Sequence, residues 1–298
     1  MGQQLELFPR HEARTPALGL ISAEPGSDSV GLTVTILQSG SAGNATLVQA
    51  AGTALLIDCG LPPKRLAPCL RDRGLQPGDL AAVLVTHEHG DHIGGCAKLS
   101  ARFGVPLYMT EGTLRAGRKR LGETIARDAV RILPERGWLA FHEGLESEAD
   151  PDSVDLSVDW VPVSHDGRET VSYAVQRNNF RFGVMTDLGV VTDPVRRMMR
   201  SLDAVSLETN HDVELLRMSP YPPFLKRRIL GPGGHLSNAQ AAALVREEAG
   251  PRLRWIFCAH ISENANTTER VLAAMAPVSE DRELRLTEHR APIAPVEF

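Results

Sequence analysis

Short apolar stretches separated by turn residues recur from about residue 31 onward, and they alternate with longer amphipathic stretches. Short runs rich in Val, Leu and Ile are typical of strands, whereas apolar positions three and four residues apart are typical of helices. The predicted strands are 32–37, 45–49, 54–57, 81–86, 171–176, 180–185, 204–207 and 255–258. The predicted helices are 64–73, 92–103, 191–201 and 238–248. This pattern predicts two strand-rich halves, each interleaved with helices.

The two ends of the chain lack a sustained apolar period. Residues 1–30 lack a sustained apolar period and contain Pro9, Pro16, Pro25 and Gly26, which is typical of a flexible arm. Near the other end, Pro292 and Pro295 predict a short irregular tail. We therefore expect a flexible arm over residues 1–30 and one folded domain over residues 31–298.

Composition narrows the class of protein. The chain has 298 residues, and its hydrophobic content of 42% is enough for a buried core. It contains no run of the roughly 20 apolar residues that a membrane span needs, and its first residues lack the apolar segment of a signal peptide. Its four cysteines form no CxxC pair. We expect a cytoplasmic protein with reduced thiols, no membrane contact and no zinc held by sulfur.

The formal net charge of -5 argues against binding nucleic acid through overall positive charge. Local basic clusters nevertheless occur at residues 115–120 and 226–228, and either could line a groove. Such clusters are more often solvated helix faces, so charge alone does not choose between these interpretations.

The segment THEHGDHIGG, residues 86–95, follows a predicted strand and leads into a predicted helix. It holds His87, His89, Asp91 and His92, and imidazole and carboxylate groups suit a catalytic Zn²⁺ or a similar divalent ion. Alternation in an extended turn can direct the first two histidines to one side, while the last two side chains point to a second ion. The glycines of the segment allow a tight turn. This spacing predicts a metal site.

The HxHxDH pattern resembles the signature of the metallo-β-lactamase superfamily. Further residues resemble that family's other motifs, each near the end of a predicted strand: Asp58 in LLIDCG, His165 in VPVSHDG, Asp187 in GVMTDLG and His260 in FCAHIS. The resemblance implies an αββα fold, in which two mixed β-sheets are flanked by helices. It also implies two divalent metal ions, and both zinc and manganese fit histidine-rich ligands.

The resemblance further implies how the ligands divide between the two ions. The first ion would be held by His87, His89, His165 and Asp187. The second would be held by Asp91, His92, Asp187 and His260, so that Asp187 bridges the pair. Asp91 is also expected to be catalytic, and Asp58 would fix the tautomer of a histidine without touching metal. Two such ions can activate water and bind the leaving oxygen.

Four additional motifs, SGSAGNATLV, LETNHD, YPPFLKRRILGPGGHLSN and AHISENANTTE, resemble the YycJ/WalJ-type metallo-hydrolases. That bacterial branch is regarded as DNA exonucleases, and the resemblance covers about residues 31–274. It implies a DNA substrate and a role in DNA repair or replication. The alternatives are a small-molecule hydrolase of the same fold (a lactonase, thioesterase or cyclic phosphodiesterase) and a non-catalytic adaptor, which would have lost its ligands.

Two candidate residues suit phosphodiester chemistry. Glu208 and His235 resemble the acid and histidine that transfer-RNA 3′-processing endonucleases of this fold use as a proton shuttle. A departing alkoxide needs a proton, and a histidine held by a carboxylate can donate it near pH 7. The alternative is that the two are unrelated surface residues. The candidate substrate-binding residues are Ser39, Ser41, Asn44, Lys226, Arg228 and Asn264.

One departure from the family pattern affects this last residue. The final motif usually reads HLSxENN, whereas this chain has HISENAN at residues 260–266. The departure leaves the role of Asn264 open, but not that of His260.

The N-terminal arm contains a second kind of motif. The segment QLELF, with Gln4, Leu5, Leu7 and Phe8, resembles the pentapeptide by which bacterial replication and repair proteins bind the sliding clamp. Its apolar side chains can fill a pocket while the glutamine forms hydrogen bonds. The alternative is that these side chains pack on the protein's own domain. The oligomeric state, the strandedness and polarity of digestion, and the choice of DNA or RNA are left open by the sequence.

Overall fold

The computed structural model describes residues 30–122, 125, 127–135 and 137–298. Within these residues two β-sheets face each other, with helices on both outer faces, which confirms the predicted αββα arrangement. The strands are β1 (Thr33–Gln38), β2 (Ala45–Ala50), β3 (Thr53–Ile57), β4 (Ala82–Leu84), β5 (Leu107–Met109), β6 (Val130–Ile132), β7 (Leu139–His142), β8 (Leu145–Ser147), β9 (Leu156–Pro162), β10 (Val171–Arg177), β11 (Phe180–Met185), β12 (Ala204–Glu208), β13 (Trp255–Ala259), β14 (Glu283–Leu286) and β15 (Val296–Glu297). The helices are α1 (Pro63–Arg71), α2 (Gly90–Ile93), α3 (Cys96–Phe103), α4 (Glu111–Leu121), α5 (Asp193–Ser201), α6 (Val213–Met218), α7 (Pro223–Leu230), α8 (Asn238–Glu248) and α9 (Thr268–Met275).

Both sheets are mixed. The first has the order β15-β1-β2-β3-β4-β5-β6, in which β3 to β6 are parallel and the other pairs are antiparallel. The second has the order β14-β13-β12-β11-β10-β9-β7-β8, in which β11 to β14 are parallel. Loops after parallel strands collect at the carboxyl edge of a sheet, which is where ligands bind in such folds.

The period-2 alternation of each strand explains how both of its faces become buried. In β1, Val34 and Ile36 belong to the apolar cluster between the two sheets, while Leu37 packs with the helices on the outer face. In β11, Phe182 faces the central cluster, and Met185 packs with the helices of the other side. Strands buried on both faces appear as continuous apolar runs, and such runs predicted β1 to β4 and β10 to β13, whereas β5 to β9, β14 and β15 were not predicted.

Two sequence predictions were wrong in detail. The irregular tail contains β15, which pairs antiparallel with β1, so the end of the chain completes the first sheet. The predicted helix 92–103 is interrupted, with α2 ending at Ile93 and α3 beginning at Cys96. The interruption arises because the Gly95 amide donates to the Cys59 carbonyl (2.7 Å), which fastens this turn to the loop after β3.

Among the described residues, no helix is both long and apolar enough to cross a bilayer. All four cysteines are free, as the sequence predicted. The predicted clamp-binding residues, Gln4 to Phe8, lie outside the described residues, and the domain boundary near residue 31 stays a prediction.

Candidate metal centre

The candidate site lies where strands of both sheets end. The residues that follow or end these strands are Asp58 after β3, the HEHGDH turn after β4, His165 after β9, Asp187 after β11, Glu208 at the end of β12 and His260 after β13. Asp58, Asp187 and His260 have positive φ angles of 59°, 60° and 52°. Such backbone is unfavourable for residues other than glycine and tends to cluster at functional sites. Of the three, Asp187 and His260 contribute donor atoms to the cluster described below, and Asp58 contacts His92 from the side away from it.

One group of donors consists of His87, His89 and His165, whose ligand atoms all lie within 4.8 Å of one another. His87 Nε2 lies 2.9 Å from His89 Nδ1. Burial lowers the pKa of His87 well below its usual value, so this imidazole is neutral. A neutral imidazole has the lone pair that a metal ion requires.

A second group consists of Asp91, His92 and His260, again with ligand atoms within 4.8 Å of one another. Asp187 lies between the two groups, with its carboxylate 3.2 Å from His92 Nε2, 3.6 Å from His260 Nε2 and 3.7 Å from His165 Nε2. The structure therefore brings all seven predicted ligands into one cluster. A further group joins His87, His92 and Asp187, so the division of the ligands between two ions and the bridging role of Asp187 stay predictions.

Two buried nitrogen atoms of the cluster have no hydrogen-bond partner in the described part of the protein, so these atoms suit a metal ion better than they suit the neighbouring side chains. Nε2 of His165 and Nε2 of His260 are buried, and neither has a hydrogen-bond partner among the described residues. A buried polar atom without a partner costs about 1–3 kcal/mol, and a bound cation would remove that cost. Although burial opposes it, the carboxylates of Asp187 and Asp58 raise the pKa of His92 well above its usual value. Protons and metal ions therefore compete for Nε2 of His92, the ring nitrogen that faces the site.

Hydrogen bonds fix the tautomers of the candidate ligands. Asp58 Oδ2 lies 2.7 Å from His92 Nδ1, which directs Nε2 of that ring toward the site. Asp58 itself accepts hydrogen bonds from the amide and hydroxyl groups of Thr86. His165 Nδ1 lies 3.0 Å from the Gly234 carbonyl, so it carries the proton and donates it there. Asp58 thus has the position that the predicted tautomer-fixing role needs.

Two residues near the ligands were not singled out from the sequence. Asp166 Oδ1 lies 3.3 Å from His89 Nε2, and the other oxygen of Asp166 pairs with Arg228. Asn210 Nδ2 lies 3.1 Å from His260 Nδ1 and donates to the backbone carbonyl of His260. The available signals were the carboxylate directly after His165 and the amide inside LETNHD. Neither signal is specific without the fold.

The three candidate substrate-binding residues of the SGSAGN segment have different environments. Ser39 is buried, and its hydroxyl accepts a hydrogen bond from the His260 amide (2.9 Å). Asn44 is also buried, with Nδ2 lying 2.9 Å from His92 Nε2. Ser41 is exposed. Ser39 therefore holds the backbone of His260, whereas Asn44 contacts the His92 nitrogen that faces the site, and the predicted contact of these residues with substrate stays a prediction.

The other predicted substrate residues lie on and around α7. Lys226 donates to the Arg217 carbonyl, and Arg228 pairs with Asp166. Asn264 donates to the hydroxyl of Tyr221 (3.2 Å). Of these side chains, Arg228 is the one that the structure links to a metal-ligand candidate.

Glu208 and His235 form a pair beside the cluster. Glu208 is fully buried, with Oε1 lying 2.8 Å from His235 Nδ1 and Oε2 accepting from the amides of Leu188 (2.8 Å) and Leu236 (3.1 Å). Burial raises the pKa of Glu208, but the charge and hydrogen bond of His235 outweigh it and lower the pKa to about 2. An ionised Glu208 holds the proton on Nδ1 of His235 and so fixes the orientation of the ring.

The same pair belongs to a further group of potential ligands. Ligand atoms of Asp187, Glu208, His235 and His260 also lie within 4.8 Å of one another. His235 Nδ1 is 3.7 Å from Asp187 Oδ1, and its ring stacks on that of His260 at 5.2 Å. Because Glu208 already accepts two amide hydrogen bonds and one from His235, its lone pairs are largely used. This occupancy favours a proton relay over a third metal position.

Close backbone packing supports the HEHGDH turn. The Asn44 amide donates to the Asp91 carbonyl (2.7 Å), and the Cys59 amide donates to the His92 carbonyl (2.8 Å). A Cβ atom on Gly60 would overlap the same Asp91 carbonyl, so only glycine fits there. The loops after β1 and β3 therefore hold the ligand turn in place through its backbone.

Comparison with known proteins gives both sequence and fold relatives. The family model described as metallo-beta-lactamase superfamily matches residues 39–175. Over 253 residues the chain is 33% identical to exodeoxyribonuclease YycJ of Bacillus anthracis, covering 85% of this chain and 91% of that protein. It is 33% identical to exodeoxyribonuclease WalJ of Streptococcus pneumoniae over 253 residues, covering 84% and 88%. The crystal structure of the metallo-beta-lactamase fold protein YhfI from Bacillus subtilis has a TM-score of 0.64 at 15% identity, covering 90% and 99%. This last likeness is one of fold alone.

Proposed function

Because this chain belongs to the metallo-beta-lactamase superfamily, with YycJ and WalJ among its relatives, we propose that it is a metal-dependent exodeoxyribonuclease. The proposed reaction is hydrolysis of phosphodiester bonds in DNA at a site with two divalent ions, zinc or manganese. A DNA substrate implies work in the cytoplasm, which is part of the proposal.

The residues of the chain divide the chemical work between them. Bound divalent ions would supply Lewis acidity and a water nucleophile at neutral pH. Asp187, whose carboxylate lies near both His92 and His165, would be a ligand of both ions. In the proposed reaction His235 is the proton donor to the oxygen that leaves the phosphorus. The buried Glu208 carboxylate accepts a hydrogen bond from Nδ1 and holds the ring in place.

The observation that carries the proposal is the Glu208–His235 pair next to the metal ligands. A DNA 3′-oxygen leaves as a poor alkoxide and needs a proton donor, whereas a thiolate leaves without one. The side chain of His235 is 16% exposed and contacts the fully buried carboxylate of Glu208, so His235 has the position that such a donor needs. The names of the relatives support DNA as the polymer.

The test uses 5′- and 3′-labelled DNA and RNA, single- and double-stranded, with Mn²⁺, Mg²⁺ or Zn²⁺ added to metal-free protein. We expect stepwise release of nucleotides from DNA that depends on metal and is lost in Asp187→Ala. Faster hydrolysis of a lactone, a thioester or a cyclic nucleotide than of DNA would contradict the proposal and favour a small-molecule hydrolase.

The N-terminal segment extends the proposal to a partner. We propose that Gln4, Leu5, Leu7 and Phe8 bind the bacterial sliding clamp, which would bring the nuclease to replicating DNA. A peptide of residues 1–14 should bind purified clamp with a Kd near 1 μM, about -8 kcal/mol. Leu7→Ala with Phe8→Ala should abolish binding and leave cleavage of free DNA as it was. If the double variant instead lowers the melting temperature and keeps clamp binding, the segment packs on its own domain.

A further inference from the structure

Helix α4 packs directly on the HEHGDH turn. A Cβ atom on Gly117 would lie 3.1 Å from Ile93 Cδ1 and 3.4 Å from Glu88 Cβ, so the helix approaches the turn through a glycine. Arg120 lies three residues further along the same side of the helix and reaches Gly90, where an added Cβ would lie 3.3 Å from the arginine Nε. The guanidinium of Arg120 therefore lies beside the backbone that joins two candidate ligands.

This part of the turn borders the open side of the metal centre. The side chains of His89 and Asp91 are 29% and 24% exposed. Four other candidate ligands are at most 3% exposed, namely His92, His165, Asp187 and His260. A substrate therefore reaches the centre past the two ligands that flank Gly90, and Arg120 lies at this entrance.

The cations of the two basic clusters differ in whether the protein already engages them. Arg115, Lys226 and Arg228 each have an acidic or carbonyl partner. Within the part of the chain that the structure describes, no hydrogen bond or ion pair engages the Arg120 guanidinium. Arginine presents a planar fork of donors that matches the oxygens of a phosphate. The charge and donors of Arg120 are thus available to an anion at the entrance of the site.

We propose that Arg120 binds a backbone phosphate next to the one that is hydrolysed, and so holds the DNA strand at the metal centre. This inference rests on the proposed nuclease function and adds a substrate-binding residue to it. The phosphate that is hydrolysed has to reach the metal ions, so the cation at the entrance contacts its neighbour along the strand. Phosphate contacts fix the position of a nucleic acid without reading its bases, so Arg120 should serve any DNA sequence.

A basic last helical turn also has a structural explanation, because cations stabilise the carboxyl end of a helix. Arg118 lies in the same last turn of α4, two residues from Arg120 and so on roughly the opposite side of the helix. The helix dipole acts on both arginines alike, whereas only Arg120 contacts the HEHGDH turn. Arg118→Ala is therefore the matched control.

The test compares Arg120→Ala, Arg120→Lys and Arg118→Ala on labelled DNA over a range of salt concentrations. At low salt Arg120→Ala should lose roughly tenfold in kcat/KM, as expected for one charge-assisted hydrogen bond. Its plot of log(kcat/KM) against log salt concentration should be shallower than that of the wild type by about 0.7–0.9, the contribution of one phosphate contact. Arg120→Lys keeps the charge and should keep the wild-type slope. Arg118→Ala should change kcat/KM by less than about twofold.

A second experiment uses oligonucleotides in which one phosphate at a time is replaced by an uncharged methylphosphonate. At the phosphate that Arg120 contacts, the wild type should lose about as much as Arg120→Ala loses on ordinary DNA, and the variant should lose little more. Thymidine 5′-(p-nitrophenyl phosphate) contains only the phosphate that is cleaved, so Arg120→Ala should lose much less on this ester than on DNA. Elemental analysis should find as much metal in Arg120→Ala as in the wild type.

Equal losses by Arg120→Ala and Arg118→Ala, or additive losses at every methylphosphonate position, would overturn the proposal. So would an equal loss on DNA and on the thymidine ester, or a loss of bound metal, because Arg120 would then act by supporting the HEHGDH turn. Failure of the nuclease function itself is distinct, because the wild type would then leave DNA intact.

Discussion

The proton relay can be tested by separating the donor from the group that orients it. His235→Ala removes the donor, and Glu208→Gln keeps the size of the side chain but removes its charge. In the wild type Oε2 of Glu208 accepts from the Leu188 and Leu236 amides, and Oε1 accepts from His235. A glutamine whose oxygen stays on the two amides must turn its NH₂ group toward Nδ1. Because the NH₂ group donates to Nδ1, the proton of the neutral ring would have to lie on Nε2. A charged ring would carry a second proton on Nδ1, and that N–H group would face the N–H group of the glutamine.

The sizes of the two losses follow from these contacts. Removing a general acid costs roughly 10²- to 10⁴-fold in kcat, which is the expectation for His235→Ala on DNA. A hydrogen bond to a charged group contributes about 1.5–3 kcal/mol, so Glu208→Gln should lose roughly 10- to 150-fold. The double variant should resemble His235→Ala, because Glu208 acts through the ring that has been removed.

The assay pairs labelled DNA with thymidine 5′-(p-nitrophenyl phosphate), whose p-nitrophenolate leaves without a proton. His235→Ala should lose less than about tenfold on this ester, and elemental analysis should find its metal content equal to that of the wild type. Equal losses on both substrates would show that His235 does not donate a proton. Loss of bound metal in His235→Ala would instead make this residue a ligand, as the alternative group of donor atoms permits.

Three other predictions concern metal content and stability. Asp187→Ala should lose more bound metal than His165→Ala by elemental analysis, because a bridging carboxylate serves two ions and the histidine serves one; equal, full occupancy in both variants would contradict this. Gly60→Ala should lower the free energy of unfolding in urea by about 1–3 kcal/mol or more, whereas Gly78→Ala, where a Cβ meets only an atom 4.0 Å away, should change it little. Burial lowers the pKa of His211 from 6.5 to about 4. As the pH drops, the histidine of the unfolded state therefore takes up a proton before that of the folded state does. The free energy of unfolding should fall by about 3 kcal/mol between pH 6.5 and pH 4. His211→Leu, which cannot ionise, should show a shallower fall, and an unchanged pH profile would refute this assignment.

Apolar runs in the sequence predicted two strand-rich halves, and the resemblance to the metallo-β-lactamase superfamily implied the αββα architecture and the candidate ligand set. The strands are buried on both faces, so their apolar runs are continuous and visible without alignment. The HEHGDH turn is a local motif, because its four donors lie within six residues and one turn can present them together. Asp58, Asp187 and His260 were recognised because the segments around them resemble motifs of that family.

Only the tertiary structure decided how other distant residues pair. Glu208 and His235, 27 residues apart, were paired in advance by the family resemblance, whereas the pairing of Arg228 with Asp166, 62 residues away, had no signal in the sequence. The end of the chain was expected to be irregular, yet it forms β15, because β1 presents an edge with which it can pair. These contacts depend on the packing of two sheets around one core, because this packing brings together loops that are far apart in the sequence. Local sequence patterns determine which segments become strands and helices, whereas the partners of a side chain at a strand end depend on which other strand ends lie beside it.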